Sequence, residues 1–259
     1  MKHDRSARSP GPGLEEHLAT WGLDGRVTRM LVLVPILFFA LAVLASLSAP
    51  SAYIALTDED GLVEWLQVAA LVAAGVIFML VASRGWRLGR RFEPVAQALI
   101  GIGALVVAGE EISWGQRIFG WATPQLFDSI NYQGETNLHN TIALESVMKL
   151  TEIGLGAFGA FVPLVAVAHR APQWIRSSLL VPPIALVSFF LITFLHWTSR
   201  IVIDPSRSIA RLSEAAELAL FTGGALFAWL CLRRLRRASV QVLRSAPLPD
   251  MADLRRGRA

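Results

Sequence analysis

Read along the chain, hydrophobic residues fall into six long runs separated by short polar segments. The runs cover about residues 28–49, 62–83, 93–113, 147–168, 178–198 and 213–232. Each is long enough to cross about 30 Å of hydrocarbon as a helix, at 1.5 Å per residue. The runs are continuous rather than alternating, and an open sheet edge is not tolerated in lipid, so strands are not expected. The pattern predicts an all-α, polytopic membrane bundle of about six transmembrane helices.

The flanks are different. Residues 1–26 are polar and rich in Gly, Pro and Arg, and read as a mobile cytoplasmic tail. Residues 27–237 form the transmembrane domain, and 238–259 a basic cytoplasmic tail suited to anionic lipid headgroups. The first apolar run exceeds the usual signal-peptide core, which favours an uncleaved anchor.

Composition agrees. Only 17% of the 259 residues are charged, against about 25% in soluble domains, and the mean hydropathy is +0.49. The single cysteine, Cys231, excludes an internal disulfide framework. The pI near 10.0 does not point to nucleic acid, because the basic residues lie between apolar runs, where they set orientation.

With both termini placed in the cytoplasm, nineteen of the 24 Lys and Arg fall on the cytoplasmic side, as the positive-inside rule requires. This topology predicts that Cys231 is shielded from an impermeant thiol reagent in sealed cells. The acids sort the other way: thirteen of 20 fall on the outer side. Asp and Glu contribute little to topology, so orientation does not explain their bias.

The stretch "GEEISWGQR", Gly109 to Arg117, concentrates the question. A carboxylate at a helix N-terminus complements the dipole, which accounts for Glu64, Glu145, Glu214 and Glu217. Glu110 and Glu111 sit at a helix C-terminus, where negative charge is unfavourable, so a polar network around them is expected. If the helix continues, Glu110, Ser113, Trp114 and Arg117 share one face and Glu111 looks elsewhere. His196 and Arg200 are one turn apart near the end of the fifth run. Residues 113–140 form a long outer segment, with aromatic residues suited to the headgroup zone. Thr123-Pro124 resembles a cap and first-turn proline, and Glu135, Asn137 and His139 stand just before the fourth run.

These residues define two classes of function. In a membrane-embedded hydrolase or transferase, Glu110 or Glu111 is the base and His139 or His196 its partner. Glu64, Ser113, Arg117, Asn137 and Arg200 are the candidate binding groups. The cofactor is unknown; zinc held by His139, His196 and a carboxylate is chemically possible, but no HExxH spacing supports it. The alternative is a non-enzymatic scaffold, assembly factor or sensor whose polar network is structural. The near absence of ionisable residues at mid-membrane argues against an ion path.

Two resemblances follow from these motifs. "EDGLVEWLQ", "GEEISWGQRIFG" and "ETNLHN", within about residues 58–145, resemble an uncharacterised family of bacterial multi-pass membrane proteins, which implies a bacterial inner-membrane location and carries no established activity. Glu110-Glu111 also resembles the acid pair of the EExxxR motif in CAAX-processing membrane proteases. Arg117 falls two residues late for that motif, and Ile192 stands where the family's FxxxH motif has Phe before His196. This resemblance implies only a Glu pair acting with a histidine and a water.

Overall fold

A computed structural model describes residues 13–131, 133–138, 141, 144–168, 171–203 and 206–245. Twelve α-helices account for most of them: α1 (Leu14–Trp21), α2 (Gly25–Ser48), α3 (Pro50–Thr57), α4 (Leu62–Arg87), α5 (Phe92–Glu111), α6 (Gln116–Phe119), α7 (Gln125–Ile130), α8 (Glu145–Val167), α9 (Gln173–Ser177), α10 (Val187–Arg200), α11 (Arg207–Ala210) and α12 (Leu212–Ser245). Among the described residues the only β-type pairing is an isolated antiparallel bridge between Asn131 and Thr141.

Among the described residues, five helical stretches are long and apolar enough to cross a membrane: Gly25–Ser48, Pro50–Arg87, Phe92–Glu111, Ser146–Val167 and Leu212–Ser239. The chain is a multi-pass membrane protein on that ground. The fifth expected segment differs. It was expected to start near residue 178, yet its helix runs only over Ile184–Arg200. Pro182 and Pro183 explain the late start. Proline lacks the N–H a helix needs and disfavours the helical region for the residue before it. The irregular chain ahead of them is held at Leu179, whose N–H donates to Glu93 Oε1 at 2.9 Å.

Within the stretch expected to be a tail, α1 forms because His17, Leu18 and Trp21 recur at helical spacing and are buried together. Gly22 stops the helix in a left-handed conformation, φ +65°, which glycine adopts without a Cβ clash. Asp24 then caps α2, accepting from the N–H groups of Arg26 and Val27 at 2.8 and 2.9 Å. These bonds hold its carboxyl below the usual range. Burial, with Arg234 nearby, pushes the His17 imidazole down to about 4. The neutral ring accepts from Ile184 N–H at 3.4 Å, tying α1 to the start of the short apolar helix.

The bundle packs α4 along α5 and α12, and sets α10 between α8 and α12. Its centre holds Phe78, Phe189, Phe190, Phe227 and Leu230. Small residues permit the closest approaches. A Cβ on Gly159 of α8 would lie 2.1 Å from Cγ of Phe190, and one on Gly156 would lie 2.8 Å from the Phe194 nitrogen. Outside this core, Leu33, Leu37, Leu41, Leu44 and Leu47 of α2 are exposed, as are Leu99, Ile102 and Val106 of α5. Contiguous apolar surface on this scale is untenable in water and natural against lipid tails.

Cys231 is fully buried. Its shielding from a thiol reagent therefore follows from packing alone and does not report which side of the membrane it faces.

Candidate functional site

Acidic side chains gather at one end of the bundle, where α5 stops and α4, α8 and α12 begin. We call this the acidic end. The way α5 stops decides the geometry. After Ile112, Ser113 (φ +47°), Trp114 (φ +55°) and Gly115 (φ +84°) all enter the left-handed region. For Ser and Trp such a backbone costs of order 1–3 kcal/mol each. The expected continuous helical face from Glu110 through Arg117 is therefore not formed, because three left-handed residues reverse the chain between them.

The reversal brings side chains together in another way. The indole of Trp114 folds back, and its Nε1 donates to Glu110 Oε1 at 2.7 Å. Glu110 Oε2 accepts the backbone N–H of Leu138 at 2.5 Å. Donors on both oxygens supply what the unfavourable helix C-terminus does not. Arg117 contributes nothing to the Glu110 carboxylate among these contacts. Ser113, completely buried, donates to Glu135 Oε2 at 2.7 Å and accepts from Asn137 Nδ2 at 2.9 Å. Asn137 also donates to Glu135, and its carbonyl groups accept from Asn131 Nδ2 at 2.7 and 2.9 Å.

Arg117 serves as the second anchor. Its Nη2 donates to Glu64 Oε1 at 2.7 Å and to the Glu111 backbone carbonyl at 3.3 Å. Its Nε lies 3.4 Å from Glu135 and its Nη1 3.4 Å from Asp60. One guanidinium thus joins the α3–α4 turn, the end of α5 and the loop that follows α7. Thr123 does not act as the expected cap. Pro124 precedes α7 instead, and the Thr123 hydroxyl accepts from Gln116 Nε2 at 2.6 Å and donates to the Gly134 carbonyl.

Below this capping loop lies a second group of acids. Glu111 is within electrostatic reach of Glu64, Glu152 and Glu214, and Glu217 of Glu111, Glu152 and Glu214. Gln67, completely buried, donates from Nε2 to the Glu214 carbonyl at 2.9 Å and to its carboxylate at 3.3 Å. Trp197 Nε1 donates to Glu152, and Arg211 pairs with Asp58 and lies 3.7 Å from Glu214. A polar cavity of about 80 Å³, bounded by Glu64, Glu111, Glu214, Arg117 and Arg211, opens between the two groups. It is roomy enough for water, which needs about 10–15 Å³ of such space.

The candidates from sequence separate accordingly. Glu64, Glu110, Glu111, Ser113, Arg117 and Asn137 come together at the acidic end. His139 lies outside the described residues. His196 and Arg200 do not join. Trp197, the next residue on α10, faces Glu152 and α8. His196, rotated about 100° from it, faces Phe39 of α2, with ring centroids 6.4 Å apart. The charged group acting on His196 is Arg200. The expected partnership of His196 with Glu110 or Glu111 is thus not made, since the two sit on different faces. The zinc arrangement loses His196 for the same reason. Among the described residues no three His, Cys, Asp or Glu side chains are grouped to hold a metal ion.

Gln67, Glu152, Glu214, Glu217 and Arg211 join this end although the sequence does not single them out as site residues. Helix-dipole complementation is the reading that spacing alone gives Glu214 and Glu217, and the face they share, matched by Glu64 and Gln67 one turn apart on α4, is the signal that points to a site. Comparisons with protein-family models, with curated proteins and with solved structures find no match.

Proposed function

We propose that this chain is a non-enzymatic membrane scaffold or sensor, with the network at its acidic end holding a loop closed over the bundle. One observation supports this most directly. The catalytic candidate Glu110 and the binding candidate Ser113 are both engaged by protein groups: Trp114 and Leu138 on Glu110, Glu135 and Asn137 on Ser113. A general base needs its oxygen directed at a substrate proton. Here both Glu110 oxygens face protein donors that fasten the loop.

A second reading has its own observation. Among the described residues no hydrogen bond reaches the Glu111 carboxylate, and Glu111 borders the polar cavity. If the protein is a hydrolase or transferase, Glu111 is its acid–base group, with Glu64 and Arg117 beside it. Parallel Glu110→Gln and Glu111→Gln variants separate the two. The scaffold reading expects Glu110→Gln to cost about 1–3 kcal/mol, because the amide nitrogen cannot accept a buried donor. Complementation of a deletion strain should then track folded yield in both variants. Full yield of Glu111→Gln with complete loss of complementation would replace the scaffold with the enzyme.

Counting the short helix Ile184–Arg200 as a crossing gives six, and the sorting of Lys and Arg supports placing the acidic end outside and both termini in the cytoplasm; the motif resemblance supports a bacterial inner membrane. Ser129, exposed on α7, offers the test that Cys231 does not. A Ser129→Cys variant should label with an impermeant thiol reagent in sealed cells. Labelling only after permeabilisation would invert the topology.

A further inference from the structure

His196 and Arg200 remain unused by the network above. They border a cavity of about 380 Å³ between α10, α2 and the start of α12, walled by Phe39, Ile192, Leu195 and Leu212. This falls within the range of ligand sites, about 300–1,000 Å³. His196 is only 8% exposed, and its Nε2 has no hydrogen-bond partner. Nη1 of Arg200, one turn further on, is buried without a partner as well. Buried polar atoms in proteins are nearly always satisfied, so two orphaned donors on residues that border one cavity favour an acceptor beside them. Among the described residues no carboxylate lines the cavity.

The occupant must match both parts. The walls are apolar, and Leu195 and Ile203 at the rim are exposed on the surface that meets lipid. The polar corner is cationic, with a planar guanidinium suited to phosphate oxygens and an imidazole that donates in its Nε2–H tautomer. We propose that the His196–Arg200 cavity is a site for a glycerophospholipid, with the anionic phosphate on Arg200 and His196 and the upper acyl chain against Phe39 and Leu212. It is separate from the basic end of the bundle, where Arg236 and Arg237 are exposed, and independent of the scaffold or enzyme reading.

The test uses the full chain, purified in detergent and stripped of lipid, with dioctanoyl phosphatidylglycerol as probe and native mass spectrometry as readout. Saturable binding is expected, weakened about tenfold by Arg200→Gln, as loss of a charge-assisted contact implies. Leu195→Trp, which fills the cavity and leaves the charge, should weaken it similarly, so a folding defect in the arginine variant does not remove the test. Arg236→Gln with Arg237→Gln should change nothing. The site is disproved if both cavity variants bind like the unmodified chain, or if only the basic-end variant loses binding. Equal competition by inorganic phosphate would overturn the lipid as the source of the phosphate.

Discussion

Replacing Arg117 with alanine is expected to lower stability in detergent by about 3 kcal/mol, the lower end of the cost of stranding a buried charge. The Arg117 side chain is 22% exposed, and those of its partners Glu64 and Glu135 are 13% and 10% exposed, so solvent compensates only in part. Removing it leaves two carboxylates facing each other with no cation between them. Arg117→Lys should recover only part of the loss, because a point charge cannot reach Glu64, Glu135 and the Glu111 carbonyl at once. Adding Glu135→Gln to Arg117→Ala should restore stability, since it removes one of the stranded charges. An Arg117→Ala protein that unfolds with the unmodified chain, within about 0.5 kcal/mol, would show that the network does not hold the loop.

A loss of similar size is expected at the opposite end. Trp21 is 1% exposed. Its ring meets Phe227 at 6.1 Å between centroids, and the Arg234 guanidinium carbon lies 4.7 Å above it. Truncation to alanine removes both contacts and opens a cavity, at about 3–5 kcal/mol. Because α1 is anchored chiefly through His17, Leu18 and Trp21, the change should also release the helix, seen as new proteolysis near Gly22. Trp21→Phe keeps most of the volume and loses most of the cation–π contribution, about 0.5–2 kcal/mol. If Trp21→Ala unfolds like the unmodified chain and leaves Gly22 protected, α1 is not docked in solution.

The apolar helices were legible because each makes its own case locally. Runs such as 30–48 and 95–108 satisfy their backbone internally and expose side chains that only lipid accepts, so length and hydropathy suffice to find them. The short helix was misjudged at its start because hydropathy does not register that Pro182 and Pro183 prevent helical backbone. Helix α1 was missed because eight residues with three buried side chains give a weak period, and only docking against α12 stabilises them.

At the acidic end the sequence by itself established that carboxylates collect there, that Glu110 and Glu111 are poorly placed for the helix dipole, and that the two glutamates must part company. Which one has its carboxylate bonded by the loop was decided by tertiary structure. Helical spacing can be extrapolated only while the backbone stays helical, and Ser113, Trp114 and Gly115 leave it together. That reversal returns Trp114 to Glu110 and sends Arg117 to Glu64, 53 residues away. Leu138 reaches Glu110 across 28 residues, and Asn137 reaches Ser113 across 24. Contacts at such separations leave no periodic trace in the chain, because they depend on how the loop closes over the bundle. In the same way His196 is separated from the acids by one helical step of about 100°, which turns Trp197 toward Glu152 and the histidine toward Phe39 of α2.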